Sequence, residues 1–163
     1  MSEPIGTPTS YNLLFVCTGN TCRSPMAEAL ARHALERRGW NNVRVASAGV
    51  SAVEGAPASD PVPVVLGEKA IPFDTHQSRP LTPELVAWAD TILVMGPYHL
   101  IGVESMGGGG KSDLITDFLE DEAAGTAIED PIGGDLATYR RTRDQLERAI
   151  DAVLDRLEPI LAP

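Results

Sequence analysis

The only two cysteines in the 163-residue chain, Cys17 and Cys22, lie in the segment FVCTGNTCRSP, residues 15–25, with Arg23 and Ser24 directly after the second. Their types and order point to anion chemistry. Gly19 lets the backbone approach a ligand closely, and the amides that follow, with the start of a helix, can converge on an oxyanion. Arg23 adds a planar, permanently charged fork that matches phosphate oxygens. Cys17 opens this cradle. A thiol facing a helix N-terminus and a guanidinium is favoured as thiolate, and a thiolate under a bound phosphoryl group is aligned for in-line attack. Ser24 is placed to donate a hydrogen bond to the sulfur while capping the helix. An isolated cysteine at a strand end would read as apolar filler; with glycine, arginine and serine at this spacing it reads as a nucleophile.

The elements that position this loop follow from hydrophobic periodicity. NLLFVC (12–17) is a short apolar run, as expected of a strand buried on both faces. SPMAEALARHALERRG then predicts a helix with Ser24 as N-cap, Pro25 at its first position, Glu28 in its first turn and Gly39 as its stop. VRVASAG (43–49) is the next strand, which completes a βαβ unit. A helix around 60–70, a short helix over 82–89 with Thr82 as N-cap, a strand over 90–96 and a helix over 97–106 follow. SDLITDF (112–118) predicts a last strand. The C-terminal helix, about 135–158, carries Leu146, Ala149, Ile150, Val153, Leu154 and Leu157 at helical spacing. Alternating strands and helices predict an α/β fold with a parallel sheet covered on both faces. A loop leaving such a strand sits at the carboxyl edge of the sheet, where these folds hold their ligands.

Composition bounds the function. The chain reads as one domain, 12–163, behind a Pro-, Ser- and Thr-rich lead-in, 1–11, expected to be flexible. A net charge of −10 argues against general nucleic-acid binding. The sequence shows no secretory pattern and no run of apolar residues long enough to span a membrane, and two cysteines cannot build a disulfide framework, so a cytoplasmic protein is expected. His33, His76 and His99 lack ligand spacing, and no metal or other cofactor is expected. GGGGKS (107–112) ends like a nucleotide-binding phosphate loop but has Ser105 where the first glycine is needed, so it reads as a turn.

VCTGNTCRSPMAE resembles the signature of the low-molecular-weight protein tyrosine phosphatase family. SAG (47–49), H-x-S-R (His76 to Arg79) and DPIGG (130–134) fall in the family's order, so the resemblance covers most of residues 12–158. It implies a single three-layer domain with a central four-stranded parallel sheet flanked by helices on both faces. It also implies Cys17 as nucleophile, Arg23 as phosphate clamp and Asp130 as general acid. The phosphate-binding loop would comprise Thr18, Gly19, Asn20, Thr21, Cys22 and Ser24. Asn20, Ser24, Ser47 and His76 would form the hydrogen-bond network that holds the loop. Cys22 would bond with Cys17 under oxidation and shield it from irreversible damage. Asp130 also makes chemical sense alone: an aspartate before proline in a glycine-rich loop can be aimed from a mobile segment to donate a proton and later accept one.

Departures from the family pattern bear on the substrate. Tyrosine-specific members usually carry an aliphatic residue where this chain has Thr21, and wall the pocket with aromatics after SAG and after Asp-Pro. Here the first segment reads VSAVEGA, and Ile132 follows Asp-Pro. CTGNTCRS with DP-x-GG instead resembles the bacterial protein arginine phosphatase branch, although that branch often has an aromatic where Ile132 stands. Thr21 and Ile132 are therefore the candidate selectivity residues. The resemblance implies hydrolysis of phosphorylated protein side chains through a cysteinyl-phosphate, with phosphoarginine as substrate. The alternatives are a tyrosine phosphatase in which Thr21 is neutral, and an arsenate reductase using an external small thiol. Expected partners are phosphorylated proteins and oxyanions, without nucleic acid or membrane.

Overall fold

The computed structural model describes residues 10–161. Four parallel strands, β1 (Tyr11–Cys17), β2 (Val43–Gly49), β3 (Thr91–Val94) and β4 (Ser112–Leu114), form one sheet in the order β2-β1-β3-β4. Around them run α1 (Arg23–Arg38), α2 (Pro61–Gly67), α3 (Pro83–Trp88), α4 (Pro97–Ser105) and α5 (Leu136–Leu161). Because side chains alternate along a strand, β1 feeds both faces. Leu13, Phe15 and Cys17 enter a core shared with α1, α2 and α5, whereas Leu14 and Val16 enter a second with Ala46, Ala48, Ile92, Val94 and Val103. The sheet is thus covered on both faces, as the apolar run of β1 predicts. The six apolar residues expected to line one side of α5 are all buried.

The chain leaves β1 for β2 on one side and then crosses back to β3 on the other. This reversal opens a crevice between the carboxyl ends of β1 and β3, the usual ligand position in such sheets. Met95 N–H bonds to the Val16 carbonyl at 3.1 Å and holds the two strand ends together.

Several local expectations are corrected. Ser24 is not the N-cap: α1 starts at Arg23, Cys22 occupies the cap position without a side-chain bond, and Pro25 is the third helical residue. The Ser24 hydroxyl is committed elsewhere. Glu28 lies beyond the first turn. The strand expected over 112–118 ends at Leu114, and Ile115–Phe118 form a 3₁₀ turn, because Asp117 Oδ2 accepts from Leu114 N–H at 3.1 Å and bends the chain out of the ladder. Of the lead-in, residues 1–9 lie outside the described residues and Tyr11 already belongs to β1. The turn expected in GGGGKS is present: Gly109–Lys111 is a 3₁₀ turn leading into β4. Among the described residues, no helix is long and apolar enough to cross a membrane.

Candidate active site

The loop between β1 and α1 turns back on itself at Asn20, whose φ of 56° lies in the left-handed region that asparagine tolerates better than most residues. Asn20 is fully buried and every polar group of its side chain is used. Nδ2 donates to Ser24 Oγ at 2.8 Å and to Ser47 Oγ at 2.9 Å, while Oδ1 accepts from Arg79 N–H at 3.0 Å. These bonds set the direction of the rest. Ser24 Oγ accepts from Asn20, so its own proton points at Cys17 Sγ, 2.9 Å away. Asn20 N–H also donates to that sulfur, at 3.3 Å. The sulfur is therefore an acceptor from two sides. Ser47, likewise an acceptor from Asn20, passes its proton to Glu28 Oε1 at 2.7 Å.

The surroundings hold the loop in this shape. His76 Nε2–H donates to the Asn20 carbonyl at 2.7 Å. Val50 and Ser51 N–H reach the carbonyls of Cys17 and Thr18, each at 2.9 Å. Gly49 explains the glycine of SAG: a Cβ there would lie 2.4 Å from the Thr18 carbonyl and 2.9 Å from Asn20 N. The backbones approach too closely for any side chain.

Arg23 is 2% exposed and reaches the mouth of the crevice. Nη1 donates to the Ile128 carbonyl and to the Tyr98 hydroxyl, both at 3.3 Å, and Nη2 to Asp130 Oδ2 at 3.4 Å. Among the described residues Nε–H has no acceptor, which leaves that edge of the guanidinium for an anion's oxygens. Asp130 stands half-exposed on the solvent side of this guanidinium. Its Oδ1 accepts from Ile132 N–H at 3.2 Å, and the following chain turns back through a bond from Gly134 N–H to the Pro131 carbonyl at 2.8 Å. Ile132 itself is 66% exposed.

Cys17, Thr18, Gly19, Asn20, Thr21, Cys22, Arg23, Ser24, Ser47, His76 and Asp130 thus lie on or against one loop. The Thr21 hydroxyl is half-buried and makes a long contact with Cys22 Sγ at 3.9 Å. Cys22 turns toward Ser59 Oγ at 3.0 Å and the Tyr139 hydroxyl at 3.4 Å. Burial foremost, then the bond to Cys22, pushes the Tyr139 phenol up to about 12, so it stays protonated.

Sequence reasoning missed Glu28, Tyr98 and His99 as neighbours of the loop. His99 is fully buried; its Nδ1 accepts from Gly96 N–H at 3.0 Å, which leaves Nε2 to donate to Thr18 Oγ1 at 3.0 Å. Burial, reinforced by the charge of Arg23, pushes its pKa down to about 4. The place of Tyr98 and His99 directly after β3 becomes informative only once β3 is seen to lie beside β1.

The family model described as low molecular weight phosphotyrosine protein phosphatase matches residues 12–160. The chain belongs to that family. A protein-arginine-phosphatase of Geobacillus stearothermophilus is 42% identical over 91% of this chain and 97% of its own length. A probable low molecular weight protein-tyrosine-phosphatase of Ralstonia solanacearum is 33% identical over 91% of this chain and 97% of its own. Among solved structures, the arginine phosphatase YwlE, as a cysteine-to-serine mutant with a phosphorylated active-site serine, superposes with a TM-score of 0.83. It is 38% identical and covers 90% of this chain and 95% of its own. Members of the low-molecular-weight phosphatase family therefore share the whole fold with this chain, not the loop alone.

Proposed function

We propose that this protein is a cysteine-dependent phosphatase acting on phosphorylated protein side chains, with phosphoarginine as its preferred substrate. The reaction rests on one observation: the Asn20 network turns the Ser24 proton onto Cys17 Sγ, which leaves the sulfur as an acceptor at the base of the loop between β1 and α1. The phosphoryl group sits over Cys17, held by the loop amides and the free edge of Arg23. The thiolate attacks phosphorus in line; the S–P bond forms as the P–N bond breaks. Asp130, in its acid form, gives its proton to the departing nitrogen, and arginine leaves as a guanidinium paired with the carboxylate. Water then attacks the cysteinyl-phosphate, Asp130 takes its proton, and orthophosphate and the thiolate are released.

Two observations support arginine over tyrosine. Among the described residues, the one hydrogen-bond contact of the Thr21 hydroxyl is the long one to Cys22 Sγ at 3.9 Å, which leaves it available to a substrate nitrogen. Identity is 42% to an arginine phosphatase and 33% to a probable tyrosine phosphatase over similar lengths. The test is kcat/KM on matched phosphoarginine and phosphotyrosine peptides for the wild type and Thr21→Ile. Wild type should prefer phosphoarginine, and Thr21→Ile should move the ratio toward phosphotyrosine; an unchanged ratio sinks the substrate assignment. Cys17→Ser retaining near-full activity would sink the mechanism.

A further inference from the structure

The two segments on which the family carries pocket aromatics present Val53, 70% exposed, and Ile132, 66% exposed, in this chain. An aromatic ring nevertheless stands at the mouth, on a third segment. Tyr98, in the first turn of α4, places its hydroxyl 3.3 Å from Arg23 Nη1, while Asp130 contacts Nη2 of the same guanidinium at 3.4 Å. Tyr98 and Asp130 therefore flank one opening. A leaving group met by Asp130 departs beside a guanidinium whose other terminal nitrogen carries Tyr98.

The ring is also fixed there in advance. It lies against the Gly96 backbone, where a Cβ would approach Cε1 to 2.9 Å, and its centroid is 4.2 Å from that of the buried His99. Pro97 stiffens the turn between them. Tyr98 keeps 53% of its surface exposed, so a face remains for a ligand.

We propose that Tyr98 is the specificity wall of this site, its ring stacking on the planar group that carries the phosphate. A guanidinium suits that wall best, because its charge meets the electron-rich ring face while Asp130 meets its N–H groups. The inference rests on the phosphatase reading above and adds the residue that recognises the side chain rather than the phosphate.

Steady-state kinetics on a phosphoarginine peptide, with orthophosphate as competitive inhibitor, separate the two parts. For Tyr98→Leu we expect KM to rise about tenfold, kcat to hold within about threefold and the orthophosphate Ki to hold within about twofold. Tyr98→Phe should keep KM within about twofold, since the ring remains. An unchanged KM in Tyr98→Leu overturns the proposal. So does a Ki that rises as much as KM, or a Tyr98→Phe variant as impaired as Tyr98→Leu, because the hydroxyl would then act only through Arg23. Calorimetric binding of the peptide in a Cys17→Ser background reads the wall without turnover. If wild type instead favours a phosphotyrosine peptide, the substrate assignment fails. The same three proteins on that peptide then test the wall separately, since a phenyl ring also stacks.

Discussion

Protonation of His99 should loosen the phosphate loop from behind, and its energetic weight follows from the structure. The imidazole is fully buried between the Gly96 N–H, which requires a bare Nδ1, and Thr18 Oγ1, which takes the Nε2 proton. Burial and the Arg23 charge depress its pKa from 6.5 to about 4. Over that interval the unfolded chain binds a proton that the folded chain refuses, so stability falls as pH falls. The contribution is complete above about pH 6.5, and the full depression is worth about 3 kcal/mol. About 1.4 kcal/mol is lost by about pH 5.5 and about 2.5 kcal/mol by about pH 4.5. Other groups also titrate in acid, so the quantity to read is the gap between wild type and His99→Gln. Urea unfolding followed by the fluorescence of Trp40 and Trp88 measures it at each pH. The variant should be less stable at about pH 7.5, and the gap should shrink by about 2.5 kcal/mol at about pH 4.5. A gap that stays constant between these pH values would show that His99 is not held neutral by its surroundings.

Asn20→Ala removes the bonds to Ser24, Ser47 and Arg79 and places alanine at a left-handed φ. It should cost about 3 kcal/mol in urea unfolding and about a hundredfold in kcat, because the Ser24 proton is no longer aimed; near-wild-type kcat would refute the network's role. Peroxide followed by excess dithiothreitol should restore activity in wild type but not in Cys22→Ala, since only the pair can form a disulfide in place of higher oxides; equal recovery would remove Cys22 from any protective role. With a net charge of −10, the protein should repel a phosphopeptide at low salt, so kcat/KM should rise several-fold between about 20 and 150 mM NaCl. A steady fall over that range would mean that the local field of the mouth governs encounter.

The loop was legible because its parts are adjacent in the chain: strand, glycine, arginine and helix occur in the order in which they are used. The fold was legible because β1 is apolar without alternation, which demands cover on both faces. Helix starts were less so. Ser24 has the right type for an N-cap, but α1 already starts at Arg23, so Ser24 lies inside the first turn, where its hydroxyl faces the Cys17 sulfur and the Asn20 amide at 2.8–2.9 Å. Ile115 and Thr116 are both β-branched and so read as strand, but they are buried in a 3₁₀ turn rather than paired in the ladder. Glu28 has the type of a first-turn acid, but it pairs with Arg32 one turn on and accepts from Ser47, nineteen residues away on β2.

Tyr98 and His99 were invisible for a different reason. Their distance from Arg23 and Thr18 is set by strand order, and order depends on which edge of β1 receives β3. Nothing local encodes that choice. Once β3 lies beside β1, the turn after it must face the loop after β1, because parallel strands end at the same edge of the sheet. That turn then carries two separate tasks in consecutive residues. His99, buried, holds the loop backbone through Thr18, while Tyr98, half-exposed, faces the opening beside Arg23. The glycine before them serves both, since its N–H orders the imidazole and its missing Cβ admits the phenol ring. A substitution at Gly96 is therefore expected to disturb loop support and substrate recognition together, whereas changes at His99 or Tyr98 should separate them.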